Sequence, residues 1–359
     1  MANRTNIYYW KCDRPNAFFA LDASRKTDSN DLEQSIRAML TEHFGNDFTL
    51  RPASGQGNHL TYIVEHGATK YFLRIENGTD GDDYMDIESA VIGLVRTTGV
   101  PTPHIYAVDA SRRKYPFAYQ IMENLECTDL NKLYRSGNLA IDCTMFGLGC
   151  YVARWQELTF DGYGPFNTEE FRRSGRLVGL HETYADYYML NLEKHIAFLV
   201  GHKFLSPIEA ECIREAVSDN EELLKIGKGC LVHKDLALWN VVGSRNCIES
   251  VIDWDDSVSG DPTDDLSLMG CFHSGSELSS LIEGYRSIRP LPENFERRFW
   301  LHLLRNMLFK AVIRVGAGYF DKKGDFFLTA DGSDLERQTR SRIEAACKGL
   351  NNEISITEL

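Results

Sequence analysis

The chain has 359 residues, which suits two domains of ordinary size or one large two-lobed domain. Its composition, 43% hydrophobic and 25% charged, is globular and excludes a disordered, collagen-like or disulfide-scaffold protein. With 39 basic and 52 acidic residues, the net charge of −13 argues against nucleic acid or a membrane surface as a partner and suits a cationic small molecule, although acidity is also a common route to solubility.

Residues 1–30 are irregular in pattern. Aromatic residues among them, including Tyr8, Tyr9 and Trp10, indicate that this extension packs against the rest of the protein. The first residues lack the charge and apolar pattern of a signal peptide, and no stretch reaches the roughly 18 apolar residues of a membrane helix. Nine cysteines without a Cys-x-x-Cys pair predict neither a zinc site nor disulfides. We expect a cytoplasmic protein with reduced thiols that is a monomer or weak dimer.

Residues 31–124 predict a small lobe made of an antiparallel sheet and helices. Apolar residues recur at helical spacing between Asp31 and Phe44, and a second helix is predicted over Met85–Val95, ending before Gly99 and Pro101. The predicted strands are Phe48–Arg51, Leu60–Val64, Lys70–Ile75, His104–Val108 and Phe117–Met122.

Residues 125–359 predict a larger, mostly helical lobe that is interrupted by a strand-rich island over Cys230–Asp253. The predicted helices are Ala140–Phe160, His181–Val200, Pro207–Ile226, Glu277–Ile288, Phe295–Gly316 and Leu335–Leu350. The predicted fold class is therefore α+β, with a small antiparallel-sheet lobe carrying one main helix and a helical lobe after residue 124.

The strand-rich island carries the chemistry. Asp235 and Asn240 lie five positions apart in a loop between two β-branched runs, and Asp253 ends the next strand. Phosphoryl transfer needs a carboxylate that orients the attacking hydroxyl and hard oxygen ligands for Mg²⁺. Asp235 suits the first task, and Asn240 with Asp253 suits the second. We expect His233 to hold the loop by hydrogen bonds.

Three motifs in this region resemble the aminoglycoside phosphotransferase family. They are His-x-Asp-x₄-Asn at His233–Asn240, Ile-Asp-Trp-Asp at Ile252–Asp255, and Gly-Asp-Pro-x-Asp-Asp-Leu at Gly260–Leu266. The segment Gly162–Phe166 is also similar to a Gly-Tyr-Gly-Pro segment of several members. The resemblance covers roughly residues 45–320 and looks nearest to hygromycin B phosphotransferase. It implies a bilobal, protein-kinase-like fold and an ATP-dependent phosphotransferase with an alcohol group as acceptor.

The resemblance also implies roles for single residues. Asp235 would be the catalytic base, and Asn240 and Asp253 would hold Mg²⁺. Arg74 on the third strand would bind the phosphates and pair with Glu88, although taken alone these two residues would make an ordinary surface ion pair. Protein kinases usually carry Lys at the position of Arg74, so the nucleotide geometry can differ.

Two further segments would bind the nucleotide through backbone groups. Gly55 and Gly57, in Ser54–Asn58, would cover the phosphates, whereas two glycines before a strand are by themselves usually a hairpin. Glu123 and Leu125, in the link between the lobes, would contact the purine. The cofactors implied are ATP, with GTP possible, and Mg²⁺.

The acidic segment after Asp253 has several possible roles. Asp255 and Asp256 would meet a cationic acceptor or be solvated turn residues, two alternatives that the sequence leaves open. Asp261 and Asp265 are expected to cap and brace the following helix. Lys234 is expected to point to solvent.

The predicted function is a small-molecule kinase with an aminoglycoside-like acceptor and hence a role in antibiotic resistance. Alternatives are a kinase of choline, homoserine or a sugar, and a catalytically silent nucleotide-binding protein, which the presence of Asp235, Asn240 and Asp253 disfavours. A protein kinase is disfavoured because no Lys stands two positions after Asp235 and no Ala-Pro-Glu anchor follows Asp253.

Overall fold

The computed structural model describes residues 4–14, 30–53, 59–78, 81–324 and 331–359. The helices are α1 (Trp10–Asp13), α2 (Asn30–Phe44), α3 (Met85–Thr97), α4 (Leu130–Arg135), α5 (Ile141–Trp155), α6 (Thr168–Ser174), α7 (Tyr184–Met189), α8 (Leu192–Gly201), α9 (Pro207–Ser218), α10 (Asp264–Gly270), α11 (Gly275–Ile288), α12 (Phe295–Gly316) and α13 (Gly332–Leu350). The strands are β1 (Thr49–Pro52), β2 (Leu60–His66), β3 (Thr69–Glu76), β4 (Ile105–Asp109), β5 (Ala118–Glu123), β6 (Thr128–Asp129), β7 (Thr159–Phe160), β8 (Tyr163–Phe166), β9 (Gly179–His181), β10 (Gly229–Val232), β11 (Val241–Ser244), β12 (Cys247–Val251) and β13 (Val258–Gly260).

The N-terminal lobe is a five-stranded antiparallel sheet in the order β1-β2-β3-β5-β4. The apolar stripe predicted on α2 is buried, and Ile36 and Met39 pack in one cluster with Leu73 and Ile75 of β3. Packing of this stripe on one sheet face gives the lobe its own core. Because side chains alternate along a strand, Arg74 lies on the other face, toward α3.

The C-terminal lobe is built around α12, whose residues from Phe299 to Arg314 are all buried. Helices α8, α10 and α13 pack against α12. A helix that is covered on all sides lies in the centre of a core, which explains why it carries no polar face. Two small sheets complete the lobe, with strand orders β7-β10-β13-β8-β9 and β12-β11-β6.

The structure confirms the predicted fold class. The predicted strands of the first lobe all occur, within one or two residues of their expected ends. The lobe boundaries at residues 30 and 124 stay predictions. Residues 4–14, here called the N-terminal segment, pack into the main core through Tyr8, Tyr9 and Cys12.

Three predicted helices are shorter than expected. The helix predicted over His181–Val200 is broken into α7 and α8 at Asn191, whose φ of 59° is left-handed. The other two, predicted to reach Phe160 and Ile226, end earlier because Thr159 enters a sheet and residues 221–224 form a 3₁₀ turn. All nine cysteines lie in the described ranges and are free thiols. Among the described helices, none combines the length and apolar character needed to cross a bilayer.

Candidate active site

The predicted base, Asp235, is buried in the loop between β10 and a 3₁₀ turn at Leu238–Asn240. His233 fixes this loop: its Nε2–H donates to the carbonyl of Ile252 at 3.0 Å, and its Nδ1 accepts from the Asp235 N–H at 3.3 Å. Burial lowers the pKa of His233, so the imidazole is neutral and has one donor and one acceptor nitrogen. The expected structural role of His233 agrees with these bonds.

The loop brings the two predicted metal ligands beside Asp235. Asn240 donates through Nδ2 to the Asp235 carbonyl at 2.8 Å, so its Oδ1 is the atom that could bind a cation. Asp253 follows β12 with a left-handed φ of 66°, and the N–H of Ile252, the residue before it, donates to the Asn240 carbonyl at 2.9 Å. The loop that carries Asp235 and Asn240 is therefore hydrogen-bonded to the segment that carries Asp253.

Arg74 and Glu88 form a buried ion pair next to this cluster. Arg74 Nη1 lies 2.6 and 2.8 Å from the two Glu88 carboxylate oxygens, and Nη2 lies 3.7 Å from Asp253 Oδ1. Burial opposes the charged form, but Glu88 and Asp253 raise the pKa of Arg74 above its usual value. With side chains 9% and 1% exposed, the pair is no ordinary surface ion pair. The geometry leaves a guanidinium between α3 and the predicted metal ligands.

The cluster has the donor set of a magnesium site. Partial burial, which leaves the side chain 36% exposed, and the nearby Asp255 carboxylate raise the pKa of Asp253 to about 7, against the opposing effect of Arg74. Such crowding of carboxylates is relieved when a divalent cation binds between them. The carboxylate of Asp253 and the amide oxygen of Asn240 are hard oxygen ligands of the kind that Mg²⁺ prefers. The residues present therefore fit the ion.

The acidic residues after Asp253, namely Asp255 and Asp256, lie largely inside the protein. His59 bridges Glu76 and Asp255, at 3.4 and 3.8 Å. Burial and Arg74 oppose the charge on His59, but the two carboxylates raise the pKa of His59 to about 9. Asp256 is 6% exposed, so its interpretation as a solvated turn residue is wrong. Contact of Asp255 and Asp256 with an acceptor stays a prediction.

The prediction that Lys234 points to solvent is wrong. It is 1% exposed and donates to Asp264 Oδ2 at 2.7 Å, the Tyr8 hydroxyl at 2.9 Å and Asn306 Oδ1 at 3.2 Å. A buried ammonium is tolerated because a carboxylate and two further acceptors replace its hydration shell. These partners lie on distant parts of the chain, so local sequence could not reveal them.

Asp261 and Asp265 have different partners. Asp261 accepts from the Thr263 N–H at 2.8 Å, which braces the start of α10 as expected. Asp265 accepts from the N–H groups of His233 and Lys234 at 2.9 and 3.2 Å, and from Trp155. Its carboxylate therefore supports the loop that carries Asp235 rather than capping α10.

Asp235 is also contacted by two lysines, Lys11 and Lys310, that were not among the predicted site residues. Lys11 Nζ lies 2.8 Å from Asp235 Oδ2, and Lys310 Nζ, on α12, lies 4.0 Å from Oδ1. Burial opposes ionisation of Asp235, but Lys11 and Lys310 lower its pKa below the usual value. Lys11 could not be predicted from the motifs around Asp235 because the two residues are 224 positions apart in the sequence.

The remaining predicted nucleotide contacts are backbone groups in two segments. Gly55 and Gly57 lie outside the described residues. Glu123 ends β5, and its N–H donates to the His104 carbonyl at 2.8 Å. The backbone groups that we expect a purine to contact are therefore the Glu123 carbonyl and the Leu125 N–H. Their contact with a nucleotide stays a prediction.

Within the described ranges, one further group has three possible metal ligands: Cys12, Asp13 and His195. Arg305 donates to His195 Nδ1 at 3.0 Å, so the proton is on Nε2, which donates to Asp13 Oδ1 at 2.8 Å. Because the Arg305 guanidinium is positively charged and occupies Nδ1 of His195, it disfavours a metal cation at this group. This group therefore anchors the N-terminal segment instead.

Several solved structures that are described as small-molecule phosphotransferases or kinases share this fold. Aminoglycoside phosphotransferase APH(4)-Ia is 17% identical, with a TM-score of 0.60, and the alignment covers 88% of this chain and 99% of that chain. A candidate fructosamine-3-kinase from Thermobifida fusca YX-ER1 is also 17% identical, with a TM-score of 0.60 and coverage of 86% and 99%. Another match is a candidate aminoglycoside phosphotransferase from Ralstonia eutropha JMP134, 14% identical, with a TM-score of 0.56 and coverage of 89% and 98%. The fold is therefore that of the protein-kinase-like phosphotransferases.

Residues 49–300, most of the chain, match the phosphotransferase enzyme family. The chain belongs to this family and is a phosphotransferase. The predicted family, fold and enzyme class are confirmed. No curated protein sequence matches the chain. Thermostable mutants of APH(4)-Ia have been solved in complex with ADP and hygromycin B and with AMP-PNP and hygromycin B.

Proposed function

We propose that the protein transfers the γ-phosphoryl group of ATP to a hydroxyl group of a small-molecule acceptor. The supporting observation is the hydrogen bond from Asn240 to the Asp235 carbonyl, together with the position of Asp253 beside the buried Arg74–Glu88 pair. The ADP and AMP-PNP complexes of a structural neighbour support ATP as the phosphoryl donor. GTP remains an alternative donor.

In this proposal Asp235 orients the acceptor hydroxyl and takes its proton. The acceptor oxygen forms a bond to the γ-phosphorus while the bond from that phosphorus to the β–γ bridging oxygen breaks, and ADP leaves with the electron pair. The lowered pKa of Asp235 supports this role because the carboxylate is ionised and can accept a proton. Arg74 would bind the phosphates. Asn240 and Asp253 would hold Mg²⁺, which neutralises phosphate charge when bound.

For the acceptor we propose an aminoglycoside-like compound, phosphorylated in the cytoplasm. The net charge of −13 and the hygromycin B complexes of the neighbour support a cationic acceptor, with Asp255 and Asp256 as its contacts. Such an activity would confer antibiotic resistance. The structural likeness to candidate fructosamine-3-kinases favours a sugar-type metabolite as the second candidate. Both acceptors use the same transfer chemistry.

The test is release of ADP from ATP and Mg²⁺ over a panel of aminoglycosides, macrolides, amino alcohols and sugars. At least one class is expected to give acceptor-dependent ADP, and Asp235→Asn is expected to lower that turnover about 10²–10⁴-fold through loss of the proton acceptor. The matched control is Asp47→Asn at an exposed position. No acceptor-dependent ADP, or full turnover by Asp235→Asn, would contradict the proposal.

A further inference from the structure

The N-terminal segment reaches the active site through one side chain. Lys11, on α1, places its ammonium 2.8 Å from Asp235 Oδ2, 3.7 Å from Asp256 Oδ2 and 3.4 Å from the Tyr9 hydroxyl. Its side chain is 25% exposed, so it is open to a ligand on one side. An ammonium at this position can be interpreted in two ways. Either Lys11 is a permanent part of the active site, or it is a plug, a group that blocks the site and must leave before substrate binds.

The anchoring of the segment favours a permanent part. The Asp13 carboxylate accepts the N–H groups of Tyr8 and Tyr9, at 3.1 and 3.2 Å, and also bonds His195. The Tyr8 ring stacks on Tyr187 with a centroid distance of 5.0 Å. A plug that moves with each turnover would have to extract these buried groups into water, which is costly.

The other end of the segment is also fixed. Arg4 donates to Asp82 Oδ2 and to the Asp255 carbonyl, each at 2.7 Å, and its guanidinium lies 3.7 Å from the centre of the Tyr84 ring. Asp82 precedes α3 in the first lobe, whereas Asp13 bonds His195 on α8 in the second. The segment is therefore held on both sides of Lys11, and only the lysine side chain needs to move.

The carboxylates around Asp235 make a cation such as the Lys11 ammonium necessary for phosphate binding. Asp235, Asp253, Asp255 and Asp256 all lie close enough to act on the Lys11 ammonium, and their carboxylates would repel a triphosphate that binds there. Burial opposes the charge on Lys11, but Asp235 and Asp256 raise its pKa well above the usual value, so it is an ammonium at neutral pH. The transferred phosphoryl group must come within about 3 Å of an acceptor oxygen that is itself hydrogen-bonded to Asp235. That position is within reach of a lysine already in contact with Asp235.

Lys310 is a weaker candidate for this role. It lies farther from Asp235, at 4.0 Å, with its side chain 9% exposed. Its ammonium is held 4.9 Å from the Phe272 ring centre and 5.1 Å from that of Phe309. Lys11 combines the closer contact with the greater exposure.

We propose that Lys11 is a catalytic residue: the N-terminal segment supplies its ammonium to the γ-phosphoryl group of ATP during transfer. The inference rests on the proposed function. Lys11 stays protonated and donates hydrogen bonds to the oxygens of the phosphoryl group, while the proton of the acceptor goes to Asp235. Preorganised cations that face developing charge in this way stabilise the transition state.

The test compares two nucleotides that differ at the γ-phosphate. Since ADP lacks that group, Lys11→Met is expected to leave the Kd of ADP with Mg²⁺ unchanged and to raise the Kd of AMP-PNP with Mg²⁺ about 10-fold, the effect of losing a hydrogen bond to a charged group. With an acceptor identified by the ADP-release panel, kcat is expected to fall about 100-fold. Lys11→Arg, which keeps the charge, is expected to recover part of both effects.

The matched control is Lys194→Met. Lys194 Nζ lies 3.6 Å from Asp13 Oδ1 of the same segment, but its side chain is 63% exposed. Unchanged AMP-PNP affinity in Lys11→Met would overturn the inference while leaving the proposed function intact. A higher kcat in Lys11→Met would show a plug and would also overturn it. Wild-type protein that binds neither nucleotide would reject the proposed function itself, and the role of Lys11 with it.

Discussion

At the scale of single residues, the start of α10 is held by a buried charge, Asp261, that is paired with distant partners. Asp261 is fully buried, bonds Arg298 and lies 3.3 Å from His302 Nε2. Burial alone would raise the pKa of Asp261, but His302 and Arg298 hold it well below the usual value. Breaking such a pair leaves an uncompensated buried charge, which costs more than the pair contributes.

Asp261→Asn is therefore expected to lower the free energy of unfolding by about 3–5 kcal/mol at pH 7. Since the folded pKa of Asp261 is lowered, its contribution is present above the unfolded value near 3.9 and is lost as the pH falls below it. The difference between wild type and variant should shrink below about pH 4 in urea unfolding curves. The exposed Asp47→Asn is the control, and a difference that grows in acid would contradict the assignment.

At the scale of elements, α5 and α11 approach closely because glycines face backbone at their contact. A Cβ at Gly149 would overlap the Leu281 carbonyl oxygen, and a Cβ at Gly284 would overlap the Phe146 carbonyl oxygen. The helices hold Trp155, which donates to Asp265 and so supports the Asp235 loop. Close packing of two backbones thus fixes a support of the site.

Gly149→Ala is expected to lower the free energy of unfolding by about 1–3 kcal/mol because the added methyl group forces α5 and α11 apart. Gly147→Ala lies in the same helix, where the new Cβ would be 3.8 Å from Ile248 Cδ1, an ordinary contact. This control should be neutral or stabilising by up to about 1 kcal/mol, since alanine favours helix. Equal effects of the two substitutions in thermal melting would refute the packing explanation.

At the scale of the whole molecule, the N-terminal segment joins the two lobes and the helical core. The Tyr8 ring packs on Tyr187 of α7 and Phe309 of α12, and Arg305 lies 3.5 Å from its centre. Its hydroxyl accepts from Lys234 beside Asp235. A single tyrosine therefore links the segment, two helices and the active-site loop.

Tyr8→Ala is expected to lower the free energy of unfolding by about 3–5 kcal/mol, the usual cost of removing a buried aromatic ring. The control is Tyr106→Ala, whose side chain is 51% exposed. Urea unfolding measures both. If Tyr8→Ala behaves like the control, the segment does not contribute to the core in solution.

The sequence predicted those features whose residues lie close together along the chain, and it missed those that depend on residues far apart. Asp235 and Asn240 share one loop, and the helical stripe of α2 repeats within a few turns, so local spacing was enough to predict them. The break at Asn191 was missed because periodic apolar residues continue on both sides of it.

The sequence by itself determined the family, the order of the strands in the first lobe and the motifs that contain Asp235, Asn240 and Asp253. Only the tertiary structure decided that Lys234 is buried, that Asp256 lies inside the protein and that Lys11 meets Asp235 across 224 positions. The physical reason is that burial of a charge depends on the partners that the fold brings to it, and these partners are not neighbours along the chain.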